Sequence, residues 1–276
     1  MFDLVMARLP ELIIVIYALS ILLYFIDFVD HNRKANAFAF RLLLIVWAFQ
    51  TIFLFMYMLN TGRFPVLTLF EGLYFYTWVL ITISLFIHHI LKVDFTVFFI
   101  NLIGFCFMAI HAFAPIQRSF VTAEQLMSEL LLIHITIAIL SYGAFSASFV
   151  FSTLYLLQFK LLKEKKWKKK LWRLADLAKL EKASFVLNTI GFPMLLLSLI
   201  LGLRWAVIKL PVFHWYDPKI IGSFFLLVIY GFLLYAFAKR VIFGRKLALW
   251  NSAAFLFVLI NFFLISRISK FHFWFS

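Results

Sequence analysis

The sequence predicts an all-α, polytopic integral membrane protein, a bundle of eight transmembrane helices with both termini outside. Three observations carry that reading. Of 276 residues, 65% are hydrophobic and only 14% are charged, with a mean hydropathy of +1.03. A soluble domain of this length cannot hide so much apolar surface, so the bilayer must be the solvent. The apolar residues fall into eight runs, each near or above the ~20 residues a helix needs to cross the hydrocarbon core. The lysines and arginines concentrate in alternate loops.

In chain order the runs span 11–29, 40–59, 66–88, 94–114, 129–158, 184–207, 219–238 and 248–268. The first follows Arg8 with no small-residue cleavage site, which predicts a retained helix and not a removed signal peptide. The fifth is longer than a bilayer requires, so it is expected to tilt or project into water. Phenylalanine contributes 38 residues, suited to lipid-facing surfaces. The single Cys106 rules out an internal disulfide.

Loops 30–41, 89–93, 159–183 and 239–247 hold 3, 1, 10 and 4 of the 26 lysines and arginines. Positive loops stay inside, so these are predicted to be cytoplasmic. Lys160–Lys182 is the most basic stretch. Trp167, Leu171, Leu174 and Ala178 recur in it at helical spacing, as in an amphipathic helix on anionic lipid. A docking surface for an acidic cytoplasmic partner and a plain topogenic signal are the other readings. The net charge of +14 does not indicate nucleic acid, because no binding motif accompanies it.

Polar residues within apolar runs usually face a bundle interior or sit near an end. Glu71 either snorkels outward or pairs with an arginine from an outer loop. His88, His89 and His111 read as satisfied interfacial histidines, and His31 carries little signal. His134 is different. It stands five residues inside the outer end of the fifth helix, with Ser141 two turns below on the same face.

The segment Phe213-His214-Trp215-Tyr216-Asp217-Pro218-Lys219 is an aromatic and polar island between two apolar runs. Asp217 is a good N-cap and Pro218 a good first helical residue, so the island could simply start a helix behind an aromatic belt. It could equally form a platform for a large planar ligand. The tail histidine His272 is expected at the same depth, on the outer side with His134. Two imidazoles flanking such a platform suit the axial positions of a haem iron. Zinc would need a further ligand, and only His214 or Asp217 is on offer. No glycine-rich phosphate loop, HExxH or Gly-x-Ser-x-Gly is present, and the acids are too scattered for paired carboxylate catalysis. The sequence therefore predicts a protein that is not an enzyme.

Leu132-Ile133-His134-Ile135, continuing to Leu140-Ser141-Tyr142, resembles the helix carrying the first external histidine of the CcsA/CcmC cytochrome c assembly family. His214-Trp215-Tyr216-Asp217-Pro218-Lys219 resembles a reduced form of its tryptophan-rich WWD motif. Gly244-Arg245-Lys246 to Trp250, with Phe271-His272, resembles the helix and second external histidine that follow. Phe64-Pro65 to Glu71 and Tyr74 to Trp78 resemble the start of the same domain, so residues 1–63 would be two preceding helices and 64–276 the haem-handling domain. Where assembly members carry a transmembrane histidine this chain has Tyr235, so the resemblance implies an outer haem site without a second, inner one. The eight-helix layout is similar to the HemX branch, which is associated with haem biosynthesis. That resemblance implies haem as cofactor, with His134 and His272 as metal ligands. His214, Trp215, Tyr216 and Asp217 would lie around it. It also implies a lowering of glutamyl-tRNA reductase, with Lys160–Lys182 contacting the reductase or a membrane protease. Haem handling for cytochrome c maturation is the alternative.

Overall fold

The structure, a computed structural model, describes residues 2–91, 95–113, 128–164, 176–209 and 214–268. Every regular element among them is helical. The helices are α1 (Phe2–Asp30), α2 (Arg33–Thr61), α3 (Leu69–Leu91), α4 (Thr96–Phe113), α5 (Glu129–Lys163), α6 (Leu177–Lys209), α7 (Pro218–Ala238) and α8 (Gly244–Ile260). A π-helical turn, Asn261–Ile265, and a last turn, Ser266–Ile268, extend α8.

Seven of these elements are long and apolar enough to cross a membrane, and Thr96–Ala112 of α4 is a shorter apolar helix. At 1.5 Å per residue, 18 residues of α4 span ~27 Å, just under a typical hydrocarbon core. The expected eight runs thus appear as seven full-length helices and one short one. The fifth run becomes α5, at 35 residues the longest helix described. The protein is a multi-pass membrane protein. Large apolar side chains such as Phe55, Val228 and Phe225 are exposed on the helix surfaces, as contact with lipid requires.

The chain divides into two compact units, Met1–Arg118 and Ser119–Ser276. In the first, α1 packs on α2 and α4, and α3 on α4 and α2. Asn32 caps α2 by accepting from the N–H groups of Lys34 and Ala35. Gly62 ends it in the left-handed region (φ 66°), donating to the Met58 carbonyl at 2.9 Å. Buried side chains knit the unit: Tyr17 Oη donates to the Asn101 carbonyl (3.0 Å), and Asn101 Nδ2 donates to Ser84 Oγ (2.7 Å). Glu71 pairs with Arg63, from the outer loop of the predicted topology. The arginine reaches Oε1 at 2.8 Å and Oε2 at 3.0 Å, while Tyr57 Oη donates to Oε1 at 2.6 Å. The N–H groups of Leu67 and Thr68 complete the carboxylate's shell. His111 is buried, its Nδ1 2.9 Å from the Phe70 carbonyl and its ring 3.7 Å from that of Phe70.

In the second unit α5 packs along α6, with α7 and α8 closing the bundle. Serines and asparagines replace leucines at the centre. Asn251 Nδ2 lies 2.9, 2.8 and 3.2 Å from the hydroxyls of Ser148, Ser152 and Ser184. Small side chains let the backbones approach, and the amide ties three helices together. Phe145 stacks on Tyr230 at 3.6 Å, over Gly191.

Candidate functional site

At one end of the second unit, the start of α5, the end of α6, the start of α7 and the extension of α8 enclose a pocket. His134 projects from the second turn of α5, a helix capped by Ser128. Its Nδ1–H donates to the Ser198 carbonyl at 2.6 Å, and Ser198 Oγ donates back to the His134 carbonyl at 3.1 Å. That places the ring proton on Nδ1 and makes Nε2 the nitrogen with the lone pair. A metal-bound histidine is oriented in the same way. The ring lies against Gly202 of α6, where an added Cβ would sit 2.6 Å from His134 Cε1. No larger residue fits there without moving the imidazole.

Lys219 enters from the opposite wall. Only 7% of its surface is exposed. Its Nζ donates to the Asn261 carbonyl at 2.9 Å and stands 5.9 Å above the ring centre of Phe262. The π turn supplies that carbonyl, and Ser266 Oγ also donates to it (3.2 Å). π turns often occur at functional sites because the widened backbone re-aims its carbonyls. Ser223 and Ser266 add hydroxyls, and Ile135, Ile139, Leu195 and Leu199 supply apolar wall. The cavity volume is about 60 Å³, and the pocket is partly open to its surroundings.

The structure brings together some of the residues singled out in the sequence and not others. His134 lines the pocket, together with the Lys219 that closes the aromatic island. Asp217 caps α7, its Oδ1 accepting from the Lys219 N–H at 2.8 Å, with Pro218 in the first turn behind it. Trp215 and Tyr216 are 74% and 63% exposed. His214 is exposed too, its ring 5.1 Å from that of Tyr216. Tyr216 also edges a shallow apolar groove of about 390 Å³ with Phe225, Phe257 and Ile265. His272 and Phe213 lie outside the described residues, as do residues 165–175 of the basic Lys160–Lys182 stretch. Tyr235 is 57% exposed on α7. Among the described residues no group of three or more His, Cys, Asp or Glu could hold a metal ion.

Ser198, Gly202 and Asn261 were not singled out in the sequence, and Lys219 only as the end of a motif. One signal was available for Lys219: a lysine in the first turn of an apolar run is costly unless it has a use.

The Cytochrome C assembly protein family model matches residues 66–272. Protein HemX of Bacillus subtilis (strain 168) is 57% identical over 277 residues, covering 100% of both chains. Protein HemX of Brevibacillus brevis is 44% identical over 264 residues, 96% of this chain and 97% of that one. Cytochrome c biogenesis protein CcsA of Chlamydomonas reinhardtii is 25% identical over 209 residues, 72% of this chain and 57% of that one. The chain is a HemX-like member of the CcsA/CcmC cytochrome c assembly family.

Proposed function

We propose that this protein is a haem-linked regulator in the bacterial cytoplasmic membrane, lowering the level of glutamyl-tRNA reductase and binding haem at its outer face. It crosses the bilayer eight times, with both termini outside, and performs no catalysis. The observation that carries the haem reading is the state of His134. Its Nδ1–H is held by the Ser198 carbonyl beside the pocket, so Nε2 has the tautomer and fixed orientation that an iron ligand needs.

The residues present fit the group. His134 and His272 would hold the iron, with Trp215, His214 and Tyr216 as the neighbouring rings and Asp217 fixing the start of α7. When bound, haem supplies a redox-active iron whose occupancy can report tetrapyrrole supply. The protein's own part is to orient the imidazole and present apolar and aromatic walls that limit water. Lys160–Lys182 is the cytoplasmic contact, to the reductase or to a membrane protease that degrades it.

Purified protein is expected to show a Soret band. His134→Ala should convert a low-spin spectrum to high-spin or abolish it, and the double change with His272→Ala should abolish it. Asp217→Asn should leave it nearly intact. A fully occupied low-spin haem in the double variant would place the site elsewhere. Deleting the gene should raise reductase abundance, and neutralising the lysines of 160–182 should mimic deletion; an unchanged reductase level would end the regulatory reading. The likeness to CcsA favours one alternative, haem handling for cytochrome c maturation. It predicts loss of covalent cytochrome c on deletion.

A further inference from the structure

We infer that Lys219, with the hydroxyl of Ser223, is the receptor for a carboxylate carried on an apolar ligand. This rests on the reading above for the same pocket, under which the carboxylate is a propionate arm of the tetrapyrrole.

The Lys219 ammonium is buried at the end of a membrane bundle, and one protein acceptor is in place, the Asn261 carbonyl. An ammonium has three N–H donors, so two remain. No carboxylate oxygen stands within ion-pair distance of it: the ion pairs among the described residues are Arg8–Glu11 and Arg63–Glu71. The acid two positions earlier, Asp217, directs Oδ1 to the Lys219 backbone N–H, and its charge attracts the ammonium from beyond ion-pair distance. A carbonyl, a ring face and a carboxylate at that remove compensate a buried charge only in part. The N-terminus of α7 adds positive potential of the same sign, with the 21-residue helix behind it.

A cation is therefore repelled from this pocket, and a neutral water would satisfy donors without answering the charge. The walls of Ile135, Ile139, Leu195 and Leu199 suit a methylene arm leading outward to a larger apolar body in the open part of the pocket. Ser223, in reach of the same space, offers a hydroxyl donor to the second oxygen.

The test uses full-length protein in nonionic detergent, with iron-free protoporphyrin and its dimethyl ester as probes, so that ligation by histidine plays no part. The wild type should bind the free acid at least about tenfold more tightly than the ester. Lys219→Gln should bind both alike, at the wild type's affinity for the ester, and Lys219→Arg should retain part of the preference. Equal binding of acid and ester by the wild type, or an undiminished preference in Lys219→Gln, would overturn the proposal. Should Lys219→Gln not accumulate, Ser223→Ala should lower the preference several-fold, and an unchanged preference counts against the site. A long-chain fatty acid separates the two readings. If neither porphyrin binds but the fatty acid raises the melting temperature of the wild type and not of Lys219→Gln, the carboxylate receptor stands and the tetrapyrrole reading falls. If neither kind of acid distinguishes the two proteins, the receptor falls.

Discussion

Asn188 donates its side-chain N–H to Asn251 Oδ1 across 2.8 Å, linking residues 63 apart in sequence inside an apolar bundle. Asn251 then spends its own N–H groups on the three serine hydroxyls. The cluster gives α5, α6 and α8 a shared fastening that lipid cannot replace, since hydrocarbon offers no competing partner. Each such bond contributes modestly, about 0.6 kcal/mol on average in membrane bundles. Asn251→Ala removes several at once and leaves Asn188 without its acceptor, so it should destabilise the protein by about 1–3 kcal/mol. Denaturant titration in mixed micelles measures this. A change within error would show that the serines re-pair among themselves.

The Arg63–Glu71 pair makes a different prediction, because both partners are charged and nearly buried. Removing one partner leaves the other charge uncompensated, and Arg63→Ala should cost about 3 kcal/mol. Glu71→Ala should cost more, since it also deprives Tyr57 Oη and the N–H groups of Leu67 and Thr68 of their acceptor. The double variant should lose less than the sum of the two, which a double-mutant cycle reads directly. Additivity would mean that the pair is solvated.

Gly202 tests how tightly the candidate site is packed around the His134 ring. Gly202→Ala presses a methyl group into the His134 ring and should cost about 1–3 kcal/mol by overpacking. In a His134→Ala background the same change should be nearly neutral, because the ring is gone. Thermal unfolding of the four proteins decides it. Equal costs in both backgrounds would mean that the strain lies elsewhere on α6.

Topology has its own measurement. A cytoplasm-active reporter fused at Lys168 should be active, and the same reporter at the C-terminus inactive. An outer Lys168 or an inner tail overturns the orientation derived from the basic loops.

The fold was legible because the bilayer demands continuous apolar runs, and these survive in the sequence whatever the packing. The cap at Asp217 and Pro218 was legible for a related reason: capping is local chemistry, readable from adjacent residues. Glu71 was legible as a problem and not as a solution. Its burial cost is a property of one residue, whereas the choice of Arg63 depends on how the chain turns after Gly62. His134 stood out by type and depth, yet its tautomer is set by Ser198, 64 residues away. Lys219 was hardest to read. Its burial depends on a carbonyl 42 residues on, exposed by a helical irregularity that no apolar periodicity announces.

That irregularity is a matter of residue arithmetic. A π turn arises when one extra residue is accommodated within an α-helix, and each residue of an α-helix turns the direction of its side chain by ~100°. Excising one residue from Asn261–Ile265 would restore a regular helix and swing Ser266 away from the pocket by about that angle. It would also re-aim the Asn261 carbonyl that Lys219 reaches. The turn thus works as an indexing device: one inserted residue sets the bearing of the last described turn, Ser266–Ile268.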